Sequence, residues 1–149
     1  MTNENELRFL IYKIGTETYG SPLLSVREVL EFQKPKFMPN MIKSFSGVIN
    51  VRGAIVGVVD MRTKFGFPED IQRKTSMLLC DTERGPIAAV VDNIECVLEI
   101  KSENMEKEPP IRSKVPASYL MGVAKNNDQL ITIIDLQKAL TEEEFKLAV

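Results

Sequence analysis

The stretch SGVINVRGAIVGVVDMRTKFG, residues Ser46–Gly66, reads as a small folding unit complete in itself. Gly47–Val51 and Ile55–Val59 are short runs rich in Val and Ile, the composition of strands, and Arg52-Gly53 between them is a tight turn. Asp60 follows the second run, and Asp60–Phe65 has the length of one helical turn. Gly66 stands where a left-handed residue closes such a turn.

The unit occurs twice. Gly47-Val48 is followed, thirteen residues after the glycine, by Asp60 at the end of IVGVVDM, and Gly122-Val123 is followed at the same spacing by Asp135 at the end of LITIIDL. Superposed without a gap, Ile55, Val56, Val58, Val59 and Met61 fall on Leu130, Ile131, Ile133, Ile134 and Leu136. Two copies of a hairpin-plus-helix unit imply two similar small barrels, and each alone is too small for a sufficient core. The expectation is one domain over residues 1–149, with lobes at about 15–82 and 83–140 that share the N-terminal strand.

Outward from this stretch, Leu7–Ile14 and Tyr19–Leu24 read as strands on either side of Gly15. Ser25 is placed to cap a short helix that carries Val26, Val29 and Leu30 on one face. Gln33–Asn40, with Pro35 and Pro39, reads as a loop. Met77–Cys80, Ile87–Val91 and Ile94–Ile100 are further strands, joined by turns at Thr82–Gly85 and Asp92-Asn93. Ser102–Ser113, with Pro109-Pro110, is a loop, and Tyr119–Val123 and Leu130–Ile134 are strands. From Asp135 a C-terminal helix runs on, interrupted near Thr141. About ten short strands with few helices give a mainly β protein.

Composition narrows the function. Of 149 residues 44% are hydrophobic and 27% charged, enough apolar material for a core, and the net charge of −2 lacks the basic excess of a nucleic-acid binder. The small cluster Lys34-Pro-Lys36 is no footprint for phosphate. No apolar run approaches a membrane span, and Met1–Glu6 lacks a signal-peptide core, so a cytoplasmic protein is expected. Cys80 and Cys96 sit in apolar runs and read as two buried, reduced thiols. The chain has no histidine and therefore lacks the usual general base and the commonest metal ligand. No catalytic residue, cofactor or metal is expected. Asp60 and Asp135 invite comparison with a carboxylate dyad, but their position at strand ends before helical turns marks them as caps. Asp81 and Asp92 read as turn residues. Arg52, at a hairpin tip, is displayed and not buried, a placement that fits a solvated turn arginine and a binding anchor equally.

Taken together, Ser46–Gly66 resembles the signature of the CheW family of chemotaxis coupling proteins. FLIYKIGTETYGSPLLSVREVL (Phe9–Leu30), AAVVDNIECVLEI (Ala88–Ile100) and YLMGVAKNNDQLITIIDLQKAL (Tyr119–Leu140) are similar to that family's opening, central and closing segments, in order. The resemblance implies a mainly β fold of two intertwined five-stranded SH3-like barrels around a shared core, with short helices and a C-terminal helix. It implies a non-catalytic adaptor that joins the cytoplasmic tips of methyl-accepting chemoreceptors to the regulatory domain of a sensor histidine kinase, in rings beneath a receptor array. The alternative within the family is a pilus or gliding motility system. By position, Glu28 and Arg52 correspond to receptor-coupling residues and pair with each other. Val26, Val29 and Val91 are expected to line the apolar groove for the receptor tip. Gly47, Val48, Asn50 and Gly53 lie in the signature that shapes the neighbouring surface, a kinase-binding or signature surface, and the kinase-facing surface is assigned to the first barrel as a whole. Gly57 stands where the family commonly has proline, which is expected to loosen the strand or permit a bulge, and the loop Phe37–Phe45 is unlike common members.

Overall fold

The computed structural model describes residues 6–40, 45–67, 75–106, 115 and 118–147, with backbone alone at 6 and 142–147. The strands are β1 (Glu6–Ile14), β2 (Glu17–Pro22), β3 (Glu28–Glu31), β4 (Phe45–Val51), β5 (Ala54–Asp60), β6 (Ser76–Thr82), β7 (Gly85–Val91), β8 (Asn93–Lys101), β9 (Met105–Glu106), β10 (Leu120–Asn126) and β11 (Gln129–Ile134). The helices are α1 (Met61–Lys64) and α2 (Leu136–Leu147), with single 3₁₀ turns at Leu23–Ser25 and Ser102–Asn104.

The strands form two sheets. One runs β3-β6-β7-β5-β4, the other β8-β1-β2-β11-β10-β9. In each, a strand of the repeated hairpin pairs in parallel with a strand from elsewhere: Val59 of β5 lies opposite Ala89 of β7, and Ile133 of β11 opposite Gly20 of β2. The repeat extends to the sheet edges. Lys36 exchanges backbone hydrogen bonds with Val48, and Glu106 of β9 lies opposite the equivalent Val123. The fold is therefore the expected pair of small barrels, except that one of them gains the two-residue β9 as a sixth strand.

The barrels are interleaved along the chain. The first lies wholly within β3–β7, whereas the second is built from β1, β2 and β8–β11. This corrects the expected lobes at 15–82 and 83–140: β2 and β7 each belong to the other barrel from the one that division gives them. Hydrophobic periodicity sets which face a strand buries and carries no information about its partner.

Three apolar clusters follow from this architecture. Ile49, Val56, Val58, Met77 and Leu79 fill the first barrel. Phe9, Ile11, Ala124, Ile131 and Ile133 fill the second. Between them a larger cluster joins Tyr12, Ile14, Tyr19 and Ile134 of one barrel to Val59, Met61, Leu78 and Val91 of the other. The repeat is matched in burial position by position. Val56, Val58, Val59 and Met61 are buried, as are Ile131, Ile133, Ile134 and Leu136, while Ile55 and Leu130 at the strand starts are exposed. Gly47 and Gly122 both stand at a register shift with positive φ, 144° and 159°.

Other expectations need correction. Val26, Val29 and Leu30 are not on a helix. Glu28–Glu31 pairs with Ser76–Leu79 of β6, so Leu30 turns into the barrel and Val29 outward. Three apolar residues in so short a segment fit a period of 3.6 and a period of 2 about equally, and the β6 ladder decides. Helix α2 runs through Thr141 without a break, and the Thr141 hydroxyl donates to the Gln137 carbonyl, 2.6 Å away. Cys80 is buried but Cys96 is exposed. Of the expected loop Ser102–Ser113, Ser102–Glu106 forms a 3₁₀ turn and β9, while Pro109-Pro110 and the rest lie outside the described residues. Residues 41–44 of the Phe37–Phe45 loop lie outside them too. At Gly57 there is no bulge. The register shift falls between Phe45 and Gly47 on the opposing strand, and a Cβ on Gly57 would lie 2.6 Å from the Phe45 ring. The glycine is filled by an aromatic neighbour.

Candidate partner-binding surface

Asn50, Arg52 and Gly53 build the turn between β4 and β5. Arg52 has φ 48° and Gly53 φ 89°, the left-handed pair that a two-residue hairpin of this twist requires. The Asn50 side-chain oxygen accepts from the Gly53 amide at 2.8 Å and holds the turn.

From this tip the Arg52 guanidinium reaches Glu28 on β3. Nη1 donates to Oε1 at 3.1 Å, and Nη2 donates to Oε2. β3 and β4 are the two outer strands of the five-stranded sheet, so this two-pronged pair spans its edges and clasps the first barrel shut. The hydrogen bond from Arg52 lowers the Glu28 pKa below the ordinary 4.5, and the same bond raises that of Arg52. The Arg52 side chain remains 63% exposed. Exposed ion pairs add little to stability, which leaves both groups open to a partner.

Beside Glu28 lies a shallow groove lined by Val29, Leu30, Glu31 and Phe32, on β3 and just past its end, and by Thr75, Ser76, Asp92 and Asn93. Val29 and Phe32 expose 47% and 41% of their surface there. Val26 packs half-buried against the shared core. Val91 does not reach the surface: it is fully buried in the shared core, one residue before Asp92. Gly47 is enclosed, since a Cβ there would lie 2.4 Å from the Lys36 carbonyl oxygen. The Val48 amide and carbonyl are both bound to Lys36. Gly47 and Val48 thus hold the strand that carries the Arg52 turn.

A family model for the CheW-like domain matches residues 8–144. The chain belongs to the CheW-like family. It is similar to the chemotaxis protein CheW of Klebsiella aerogenes, with 29% identity over 93% of this chain and 84% of that protein. It is also similar to the chemotaxis protein CheW of Helicobacter pylori, with 28% identity over 95% and 86%. Among solved structures, the scaffolding protein TtCheW of Thermoanaerobacter tengcongensis superposes with a TM-score of 0.81 at 24% identity, covering 91% of this chain and 92% of that one.

This CheW-like domain carries a further cluster that its sequence did not disclose. Asp60 caps α1 by accepting from the Arg62 amide at 3.0 Å, as expected, and it also binds the Arg62 guanidinium, 2.9 Å from Nη2. Arg62 in turn reaches Asp92, 3.3 Å away. All three side chains are buried. Asp135 caps α2 through the Lys138 amide at 3.2 Å. Both aspartates are thus caps, and Asp60 is occupied by an arginine. The available signal was a departure from the repeat, arginine at position 62 where the second copy has Gln137. Among the described residues no cluster of His, Cys, Asp and Glu could hold a metal ion, and no helix is long and apolar enough to cross a membrane.

Proposed function

We propose that this protein is a non-catalytic chemotaxis adaptor, cytoplasmic and recruited to receptor arrays at the inner face of the membrane. Its partners are the regulatory domain of a sensor histidine kinase and the cytoplasmic tips of methyl-accepting chemoreceptors. Membership of the CheW-like family supports this reading, as do the names of relatives that are chemotaxis or scaffolding proteins. The observation that carries it is the exposed Glu28–Arg52 clasp next to the groove that bears Val29.

A charged anchor beside a small apolar strip suits a partner whose apolar residues fill the strip while a polar group meets the anchor. So small a groove gives weak single contacts, which repetition in a ring of adaptors and kinases makes effective. The first barrel, steadied by Gly47, Val48, Asn50 and Gly53, also carries the kinase-facing surface, on a face other than the groove. Arg52→Ala in reconstituted arrays is expected to leave the fold intact and to abolish receptor control of kinase activity. Full control by the folded variant would remove Arg52 from the coupling surface.

A further inference from the structure

Asp92 is the single residue between β7, in one barrel, and β8, in the other. Its two carboxylate oxygens face opposite ways. Oδ1 accepts from Arg62 Nη1 at 3.3 Å, on the helix that closes the first barrel. Oδ2 accepts from the Gly15 amide at 2.5 Å, in the β1–β2 turn of the second. The Asp92 amide donates to the Lys13 carbonyl at 2.9 Å, again in the second barrel. Arg62 has no freedom to swing away, because its backbone amide, Nε and Nη2 are all bound to Asp60.

We infer that the Asp92 carboxylate is a hinge lock, a positioning group that fixes the angle between the two barrels at the point where the chain crosses from one to the other. Gly15 completes it. A Cβ at that position would lie 2.3 Å from the Phe67 ring, so only glycine lets the turn seat against the first barrel. The repeat has a weaker counterpart, for Gln137, two residues after its own cap, donates to the Asp81 carbonyl on the opposite barrel. One fastener is buried and ionic, the other exposed and neutral. A buried charge pair has directional partners, and separating them leaves an uncompensated buried charge. Asp92 and Asn93 also line the groove beside Val29, so the barrel angle sets the groove's shape. The lock itself does not depend on which partner occupies the groove.

The test is a distance between spin labels at Glu83→Cys and Asp128→Cys, exposed turn positions on the two barrels, in the full chain with Cys96→Ser. Cys80 is fully buried and stays unlabelled. Asp92→Asn keeps the Arg62–Asp60 pair and puts an amide against the guanidinium. The distance distribution is expected to broaden about two-fold while unfolding stays cooperative. A folded Asp92→Asn protein with an unchanged distribution would overturn the lock. Should that variant fail to fold, hydrogen exchange of the unaltered chain decides. The Gly15 amide, at a turn where exchange is ordinarily fast, is expected to exchange as slowly as the Ile11 and Val59 amides of the core strands. Exchange of Gly15 through local opening would contradict the proposal.

Discussion

At the scale of single residues, the chemistry of this molecule lies in how a few charged and sulfur-bearing groups are held. Glu28 is held ionised by Arg52, so the clasp is present above pH 4.5 and is lost as the pH falls through the lowered pKa of the folded state. A carbon-detected titration of Glu28 is expected to have its midpoint below 4.5 in the unaltered protein and to move up in Arg52→Ala. An unshifted midpoint would mean the pair is not formed in solution. Cys80 shows the opposite sign. Burial, aided by the charge of Asp81, pushes its thiol up to about 12 from 9.0. Its contribution to stability is therefore complete below pH 9 and is lost as the pH rises toward 12. Cys96 is expected to react with a thiol reagent at pH 8 in the native protein, and Cys80 only on unfolding. Equal reactivity of the two would contradict the placement of β6. That Cys96 is exposed was not legible, because it shares the alternation of Ile94, Leu98 and Ile100, which reads as the core side, while the β8 register against β1 shifts beside it, between Ile11 and Tyr12.

At the scale of elements, the turn and strand chemistry of Ser46–Gly66 was legible because its local rules agree. Gly47 ends at a close approach, Arg52-Gly53 makes a left-handed turn, and Asp60 caps α1. The glycines separate by what surrounds them. Gly47→Ala places a methyl group against the Lys36 backbone and is expected to cost at least about 2 kcal/mol. Gly53→Ala meets open space and adds only the strain of positive φ, about 1 kcal/mol. Chemical denaturation of the two variants checks the order, and equal losses would argue against the β4–Lys36 bridge. β3 was not legible because its fate depends on β6, some fifty residues away in sequence. Its three apolar residues carry too little pattern to resist that pairing.

At the scale of the whole molecule, the count of two barrels and their shared core follows from the thirteen-residue spacing of Gly47 with Asp60 and of Gly122 with Asp135. The interleaving does not, since β2 pairs in parallel with β11 and β7 with β5, partners distant in sequence that a local pattern does not name. Asp92 was hidden for a related reason: Asp-Asn between two strands reads as an exposed turn, and only the approach of Arg62 and Gly15 buries it. Removing the guanidinium strands two buried carboxylates, so Arg62→Met is expected to destabilise the fold by about 3–5 kcal/mol, measured by urea unfolding. A loss below 1 kcal/mol would mean the cluster is solvated. The proposed adaptor function belongs to the whole molecule too, because it calls for a kinase-facing surface and a receptor-facing surface at once. The most direct test is a binding titration against the regulatory domain of the histidine kinase from the same cell, with the unaltered protein and with Arg52→Ala. Saturable binding that survives the substitution is expected, with Arg52 serving the receptor. Binding lost in a folded Arg52→Ala protein would move that residue to the kinase interface, and no binding by either protein would contradict the adaptor function itself.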